Sequence, residues 1–573
     1  MPTPDQPTCN FNDSIPATIA ELRAVLLADT ALPATRQRDM VSALNALAKA
    51  FGKPAELIPT QPALLRPQLE RLTPAMVGLK PGRWRNVQSL LGTALAHAGI
   101  VAIQGRLRTK PSPEWTAILA LLPYDAGRHF HLWRFARWCT GKTLAPDAVT
   151  DATLETYRVE LQTGSLVSEP DRAVREVARF WNEAATTYPT WPQQRLTVPD
   201  NRRNYAPDWS IYPASLRADA DAWCAGLGDN DPFADRAFIP LKPASVESRR
   251  KHLRVYLATL LQRGIDPAEL TDLAAAVQPD RAARALRVFW DRAGKKATTY
   301  TYQIAALVLM IARHWANLPP DAIDKLAAMA RQLRPEPAGL AGRNLSRLLQ
   351  FSDPKKLEAM LLLPQKLARQ AMALGAPSPH SALVMQTAVA IEILLNVPLR
   401  FGNLRSLRIG VHLVRRPGGT MTCTIEPDEV KNGSALNATL SGPVVDLIAR
   451  YIDIYRPLLV TVQSDFLFPG QTAGRPKSDP GMRVQLQHAI ADHIGIEFNP
   501  HGFRHLAAYM ILRENPGAHG QVQRVLGHKS LASTMSYYCG LEAAGAIAAY
   551  DALLARQREE LSPKQPVRAG ARQ

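Results

Sequence analysis

Residues 499–512 read NPHGFRHLAAYMIL, and residues 521–540 read QVQRVLGHKSLASTMSYYCG. The first stretch sets His501 and Arg504 three apart, the spacing of neighbours on one helical face. The second sets His528 behind a Leu526-Gly527 turn, with Tyr537 nine residues further on. Upstream, residues 392–409 read EILLNVPLRFGNLRSLRI. A helix should end there at Asn396-Val397-Pro398, and Arg400 should open the next one. Singly these residues say little, because an arginine at a helix start is commonly a surface cation and a tyrosine pair is commonly packing. Together they supply what phosphodiester transfer to a side chain requires: a nucleophile, anion stabilisers and groups that move protons.

Between Arg400 and His501 the texture turns to strand. GVHLVRR (410–416), a Pro417-Gly418-Gly419 turn, TMTCTIE (420–426) and ALNATLSG (435–442) predict a small antiparallel sheet. Residues 443–455 read as helix, 469–481 as a Pro/Gly-rich loop, and helices return to about residue 560.

In this order and spacing the motifs resemble the catalytic domain of the tyrosine recombinases, the phage-integrase family. The family's helix-end Gly-Leu-Arg stands here as Pro398-Leu399-Arg400, and its Pro-His-x-Leu-Arg-His as Pro500-His501-Gly502-Phe503-Arg504-His505. Its Leu-Gly-His-x-Ser stands as Leu526-Gly527-His528-Lys529-Ser530, followed by Thr534 and Tyr537. The resemblance covers roughly 345–560 and implies the catalytic set Arg400, His501, Arg504, His528 and Tyr537. It also implies a lysine on a β-hairpin between the first arginine and the histidine. Lys431, in EPDEVKNGSALNATL (426–440), fits that place, with Lys477 in the following loop as the reserve. Pro398 and Asn403 depart from the family's usual glycine and acidic residue, at positions that do not touch the reacting atoms.

The chemistry suits the residue types. Two arginines can fork onto the non-bridging oxygens of a phosphate in its transition state. Tyrosine has an ordinary pKa near 10, so His501 would take or orient its proton. His528 would hydrogen-bond a phosphate oxygen, and Lys431 would protonate the departing 5′-oxygen. A 3′-phosphotyrosine conserves the bond energy, so neither nucleotide, metal nor other cofactor is expected. His501 and His505 imitate a zinc pair, but no HExxH glutamate or cysteine accompanies them.

The rest of the chain fits a nucleic-acid partner. Its 573 residues carry a formal net charge of +18, which favours a polyanion such as double-stranded DNA. Cys9, Cys139, Cys224, Cys423 and Cys539 form no CxxC pair and read as reduced thiols of a cytoplasmic protein. The N-terminus does not read as a secretory signal, and no uncharged apolar run reaches the roughly 18 residues of a membrane span. GxxxxGK[ST] and GxGxxG are both absent.

The expected fold is mainly α: helical N-terminal DNA-clamp domains followed by a mixed α/β catalytic domain with a small antiparallel sheet. The expected divisions are an N-terminal helical domain at 1–115, a core-binding-like domain at 116–205, a core-binding domain at 206–340, the catalytic domain at 341–561 and a basic disordered tail at 562–573. A weak repeat supports them. Helices end near Gly52, Gly141 and Gly264, and GRWRNVQSLLGTALAHAG, DRAVREVARFWNEAATTY and DRAARALRVFWDRAG follow. Two or three copies of one module, or unrelated hairpins, would both give this pattern. Residues 542–561 predict an amphipathic helix with Ile547, Tyr550, Leu553 and Leu554 on one stripe. The resemblance implies that it docks on a neighbouring copy in a homotetramer on synapsed sites; the plainer reading packs it on its own domain. The function expected is a site-specific recombinase that integrates or excises a mobile element. The alternatives are a type IB topoisomerase-like relaxing enzyme and a DNA-binding protein with a decayed site, and the complete residue set speaks against the last.

Overall fold

The structure, a computed structural model, describes residues 15–561 apart from 102–109, 123–129, 200–205, 230, 232–239, 337–338, 341, 431–432, 539–540 and 542. Lys431 and the tail at 562–573 therefore lie outside the described residues. The chain falls into two compact units, one from residues 1–200 and 339–573, the other from 201–338.

Proline starts helices here more than it breaks them. Pro62, Pro81, Pro170, Pro279, Pro379 and Pro443 all stand in a first helical turn. The missing N–H costs nothing there, and the ring presets φ. The first module holds α1 (Ile19–Ala28), α2 (Ala34–Phe51), α3 (Pro62–Leu69) and α4 (Pro81–His97). Leu22, Leu44, Leu47, Val87 and Leu91 form its core. The second holds α5 (Pro113–Leu119), α6 (Phe130–Gly141), α7 (Asp151–Gly164) and α8 (Pro170–Thr187). Trp115, Phe135, Tyr157 and Trp181 fill that core.

These two modules and the domain expected to be catalytic, from residue 342 onward, are fastened by polar contacts. The Arg66 guanidinium donates to the carbonyls of Leu161, Gln162 and Ser165 at 3.0, 2.8 and 2.6 Å, where α7 ends with its carbonyls unsatisfied. Thr73 Oγ1 donates to the carbonyl of Ala491 at 2.7 Å. Gly495 (φ +78°) lets the backbone of Ala75 approach so closely that a Cβ would stand 2.8 Å from it.

Among the described residues the second unit has helices and no strand: α9 (Ala214–Gly228), α10 (Pro243–Gln262), α11 (Leu273–Ala276), α12 (Pro279–Arg292), α13 (Thr299–His314) and α14 (Pro320–Gln332). Leu253, Tyr256, Leu257, Ile304 and Val308 centre its own core.

The catalytic domain has helices α15 (Gly342–Leu349), α16 (Pro354–Leu361), α17 (Leu363–Ala373), α18 (Pro379–Asn396), α19 (Phe401–Arg405), α20 (Pro443–Arg450), α21 (Asp479–Ile494), α22 (Gly502–Glu514), α23 (His519–Leu526), α24 (Leu531–Tyr538) and α25 (Ala543–Leu561). The run 389–394, apolar but for the buried Glu392, buries α18 on nearly every side, which makes it the domain's axis. As the sequence predicts, the described residues form one small antiparallel sheet, β1 (Leu413–Arg416), β2 (Thr420–Ile425) and β3 (Leu436–Ser441), in that spatial order. Gly418 and Gly419 both take positive φ, which the tight β1–β2 turn requires. Met421, Cys423 and Ile425 face the core while their neighbours are more exposed, the alternation of a one-sided strand. Among the described residues no helix is long and apolar enough to cross a membrane.

Candidate active site

Each motif segment places its residue at the end of an element. Asn396 ends α18, two extended residues follow at the proline, and Arg400 caps α19. Burial holds the Arg400 guanidinium below its ordinary pKa. His501 caps α22, one position ahead of the helix but with helical dihedrals, so it still neighbours Arg504. Gly527 ends α23 in the left-handed region, and this turn delivers His528. Tyr537 and Tyr538 close α24.

Arg504 joins these segments. It is 3% exposed, and its guanidinium donates to the carbonyl of Pro398 at 2.7 Å and to that of Leu526 at 2.6 Å. One carbonyl lies two residues before Arg400 and the other two before His528. Arg504 uses two of its five donors this way. Burial and then the nearby Arg400 charge bring its pKa down to about 10. Arg400 and Arg504 share the lining of a cleft of about 320 Å³ with Asn403, Val430, Ser434 and Asn437. Val430 and Ser434 flank the turn that carries Lys431, so the described parts of that hairpin edge the same cleft. Asn403 donates to the carbonyl of Glu429 at 3.2 Å, tying α19 to the hairpin. Glu429 in turn holds His412 Nε2 at 3.0 Å.

Five rings form a second cluster. His501 meets His505 edge-on at 4.9 Å between centroids, and His505 stacks on Tyr537 at 5.6 Å. His505 Nδ1 pairs with the Tyr538 hydroxyl at 3.0 Å, and Tyr538 lies parallel to His528 at 6.3 Å. Burial, followed by the charges of Arg504 and Arg400, brings His528 down to about 4. Burial, then Arg504, Arg400 and Arg483, also lowers His501, which keeps an exposed face. Both shifts favour the neutral imidazole. His528 Nδ1 lies 3.0 Å from Thr534 Oγ1, which itself reaches the carbonyl of Ser530 at 3.1 Å. That leaves Nε2 as the nitrogen for a ligand.

The two tyrosines differ sharply. Tyr538 is 2% exposed and its hydroxyl is taken by His505. Tyr537 is half-buried at the edge of the core, and burial raises its phenol. Tyr537 is not among the residues lining the arginine cleft. Lys477, the reserve lysine, is not there either. It donates to Gln386 Oε1 at 2.7 Å and to Gln485 Oε1, and burial alone draws it down to about 8. His505 was legible only as part of a motif; its link between His501 and the tyrosines depends on the packing of α22 against α24. Among the described residues no group of His, Cys, Asp and Glu is arranged to hold a metal.

Residues 365–543 match the model of the phage integrase family. No curated protein matches the chain in sequence. Among solved structures, a XerH site-specific recombinase bound to palindromic difH substrate aligns at 14% identity and a TM-score of 0.34, over 67% of this chain and 94% of that one. A lambda integrase dimer bound to a COC′ core site aligns at 16% identity and 0.32, over 65% and 89%. The integrase of mycobacterium phage Brujita aligns at 18% identity and 0.20, over 57% and 90%. The family match is confined to residues 365–543, and none of these structures reaches a TM-score of 0.5.

Proposed function

We propose that this chain, whose residues 365–543 are a phage integrase family domain of the tyrosine-recombinase type, cleaves and rejoins duplex DNA at specific sites through a 3′-phosphotyrosine on Tyr537. The observation that carries the reading is the Arg504 hub, which gathers the three motif segments around one arginine-lined cleft.

The scissile phosphate would sit between Arg400 and Arg504, whose charge offsets that developing on its oxygens. His528 Nε2 would add a hydrogen bond once the phosphate raises its proton affinity. Tyr537 Oη attacks phosphorus and gives up its proton to the histidine pair, where neutral His501 can accept it and His505 touches both rings. The bond from phosphorus to the 5′-oxygen breaks, and Lys431 protonates that oxygen. A 5′-hydroxyl from the partner strand then reverses the steps and frees the tyrosine. Exposed Ile547 and Tyr550 on α25, at 64% and 60%, support exchange of this helix between copies in a tetramer. Integration or excision of a mobile element is the setting that fits such a reaction.

The test uses a duplex that the protein binds specifically, selected from the DNA on either side of its gene and nicked beside the cleavage position so that the released fragment diffuses away. Wild-type protein in EDTA, without nucleotide, should accumulate a covalent adduct with DNA. Binding without any adduct in EDTA, but with one when divalent metal is restored, would defeat the proposed mechanism.

A further inference from the structure

The connection from β2 to β3, residues 426–435, is pinned at its base by a histidine that lies outside it. His412 stands one residue before β1 and is 5% exposed. Its Nδ1 accepts the backbone N–H of Arg408 at 2.9 Å, so the neutral ring carries its proton on Nε2. That N–H meets the Glu429 carboxylate, 3.1 Å from Oε1 and 3.0 Å from Oε2. The same carboxylate accepts the N–H of Glu426 at 3.4 Å and has the Arg408 guanidinium 3.5 Å away. The backbone of His412 is fixed too: its N–H donates to the carbonyl of Arg408 at 3.0 Å, and its carbonyl accepts from Thr424 at 2.9 Å.

The main chain of Glu429 is tied in a second direction. Its carbonyl accepts from Asn403 Nδ2 at 3.2 Å, and Asn403 lies on α19 three residues after Arg400. Arg400, Asn403, Val430 and Ser434 line one cleft. Glu429 is thus held through its side chain to the start of β1 and through its main chain to the arginine helix, two positions before Lys431. Neither the imidazole–carboxylate bond nor the Asn403 bond is part of the β1–β2–β3 ladder. The sheet does not need a buried histidine on a carboxylate, and removing such groups from water is costly. A general acid does need a fixed base. Lysine has a flexible four-carbon stem, and proton transfer requires its ammonium within hydrogen-bond reach of the leaving oxygen.

We propose that His412 and Glu429 are positioning residues for Lys431: the pair anchors the β2–β3 connection beside α19, so that the lysine is presented to the 5′-oxygen as it leaves phosphorus. The inference rests on the role given to Lys431 above and adds the residues through which that role is maintained.

The experiment measures single-turnover cleavage by the full chain on the nicked duplex, with oxygen or sulfur at the 5′-bridging position. Sulfur departs without a proton. His412→Phe, which keeps a ring and removes the donor, and Glu429→Ala should each slow the oxygen substrate roughly 10- to 100-fold. DNA affinity should not change, and the sulfur substrate should be slowed far less. His412→Gln retains a donor and should recover part of the loss. Added to Lys431→Ala, either change should cost nothing further, as expected of residues that act through one another. The ratio of sulfur to oxygen rates does not depend on how much of the protein is folded, so it can be read in a destabilised variant. Where sulfur rescues Lys431→Ala, wild-type rates in His412→Phe and Glu429→Ala would overturn the proposal. So would equal slowing on both substrates that adds to the loss in Lys431→Ala. A Lys431→Ala protein that sulfur does not rescue would instead overturn the reading of Lys431, and this inference with it.

Discussion

The catalytic domain and the helical modules before it are both rich in arginine, and Arg504 in the one is held in the opposite way to Arg158, Arg172 and Arg179 in the other. In the catalytic domain Arg504, Arg456 and Arg405 donate to backbone carbonyls: Pro398 and Leu526, Ser464 and Phe466, and Lys477. In the second module Arg158, Arg172 and Arg179 pair with glutamates three residues earlier, at 2.6, 2.8 and 2.6 Å on open helix surfaces. A carbonyl-anchored arginine cannot leave its place, which is what stabilising a transition state demands. A surface ion pair is worth about 0.3–0.5 kcal/mol, so a phosphate can displace the glutamate at little cost. Arginine count therefore says little about role, whereas the partner says a great deal.

The contrast can be broken at either end. The largest effect among the supporting residues should come from Lys431, which serves the leaving group and not the fixed frame. Lys431→Ala should bind DNA yet cleave it roughly 100- to 10,000-fold more slowly. A 5′-bridging sulfur, which needs no proton to depart, should restore much of that rate. Equal slowness on both substrates would remove Lys431 from the role.

Arg504→Ala should follow, with covalent-adduct formation down roughly 100- to 1,000-fold and stability lower by about 3 kcal/mol, because two carbonyls lose their donor. Arg504→Lys should recover little, since one ammonium cannot reproduce the planar fork between carbonyls on separate segments. If Arg504→Lys is as stable and active as wild type, the hub has been misjudged.

A smaller effect should appear with pH. Burial, then His501, Arg504 and His528 beside it, draws His505 from 6.5 to about 4. The native state thus holds it neutral while the unfolded chain binds a proton below pH 6.5. Stability from this source is complete above that pH and is lost as pH falls towards 4, by on the order of 2 kcal/mol. Denaturant midpoints across the window should fall, and His505→Gln should flatten the decline. An unchanged decline in the variant would place the effect elsewhere. Smallest of all, Arg172→Ala should change stability by less than about 0.5 kcal/mol; a loss above 2 kcal/mol would erase the distinction between the two kinds of arginine.

The parts legible in the sequence were those set by local backbone rules. Pro398 stops α18 ahead of Arg400, Gly527 turns the chain into His528, and Gly418-Gly419 closes β1 onto β2. What stayed hidden depends on residues far apart in sequence. No local pattern tells that Arg504 will meet the carbonyl of Pro398, 106 positions away, or that Lys477 will be drawn into a buried glutamine pair. The weak repeat among the helical modules is legible only in part: its glycines and Phe-Trp pairs can be read directly, but α7 has 14 residues and α11 has 4.

The most direct test of the central claim sets Tyr537 against its neighbour. Tyr538 is buried and hydrogen-bonded to His505, so Tyr538→Phe should cost about 1 kcal/mol of stability and still form the covalent adduct on nicked DNA. Tyr537→Phe removes only the phenolic oxygen at a half-buried position, and it should fold and bind DNA but form no adduct. Peptide mapping of the wild-type adduct should place the nucleotide on Tyr537. An adduct formed by Tyr537→Phe, or nucleotide found on Tyr538, would contradict the account.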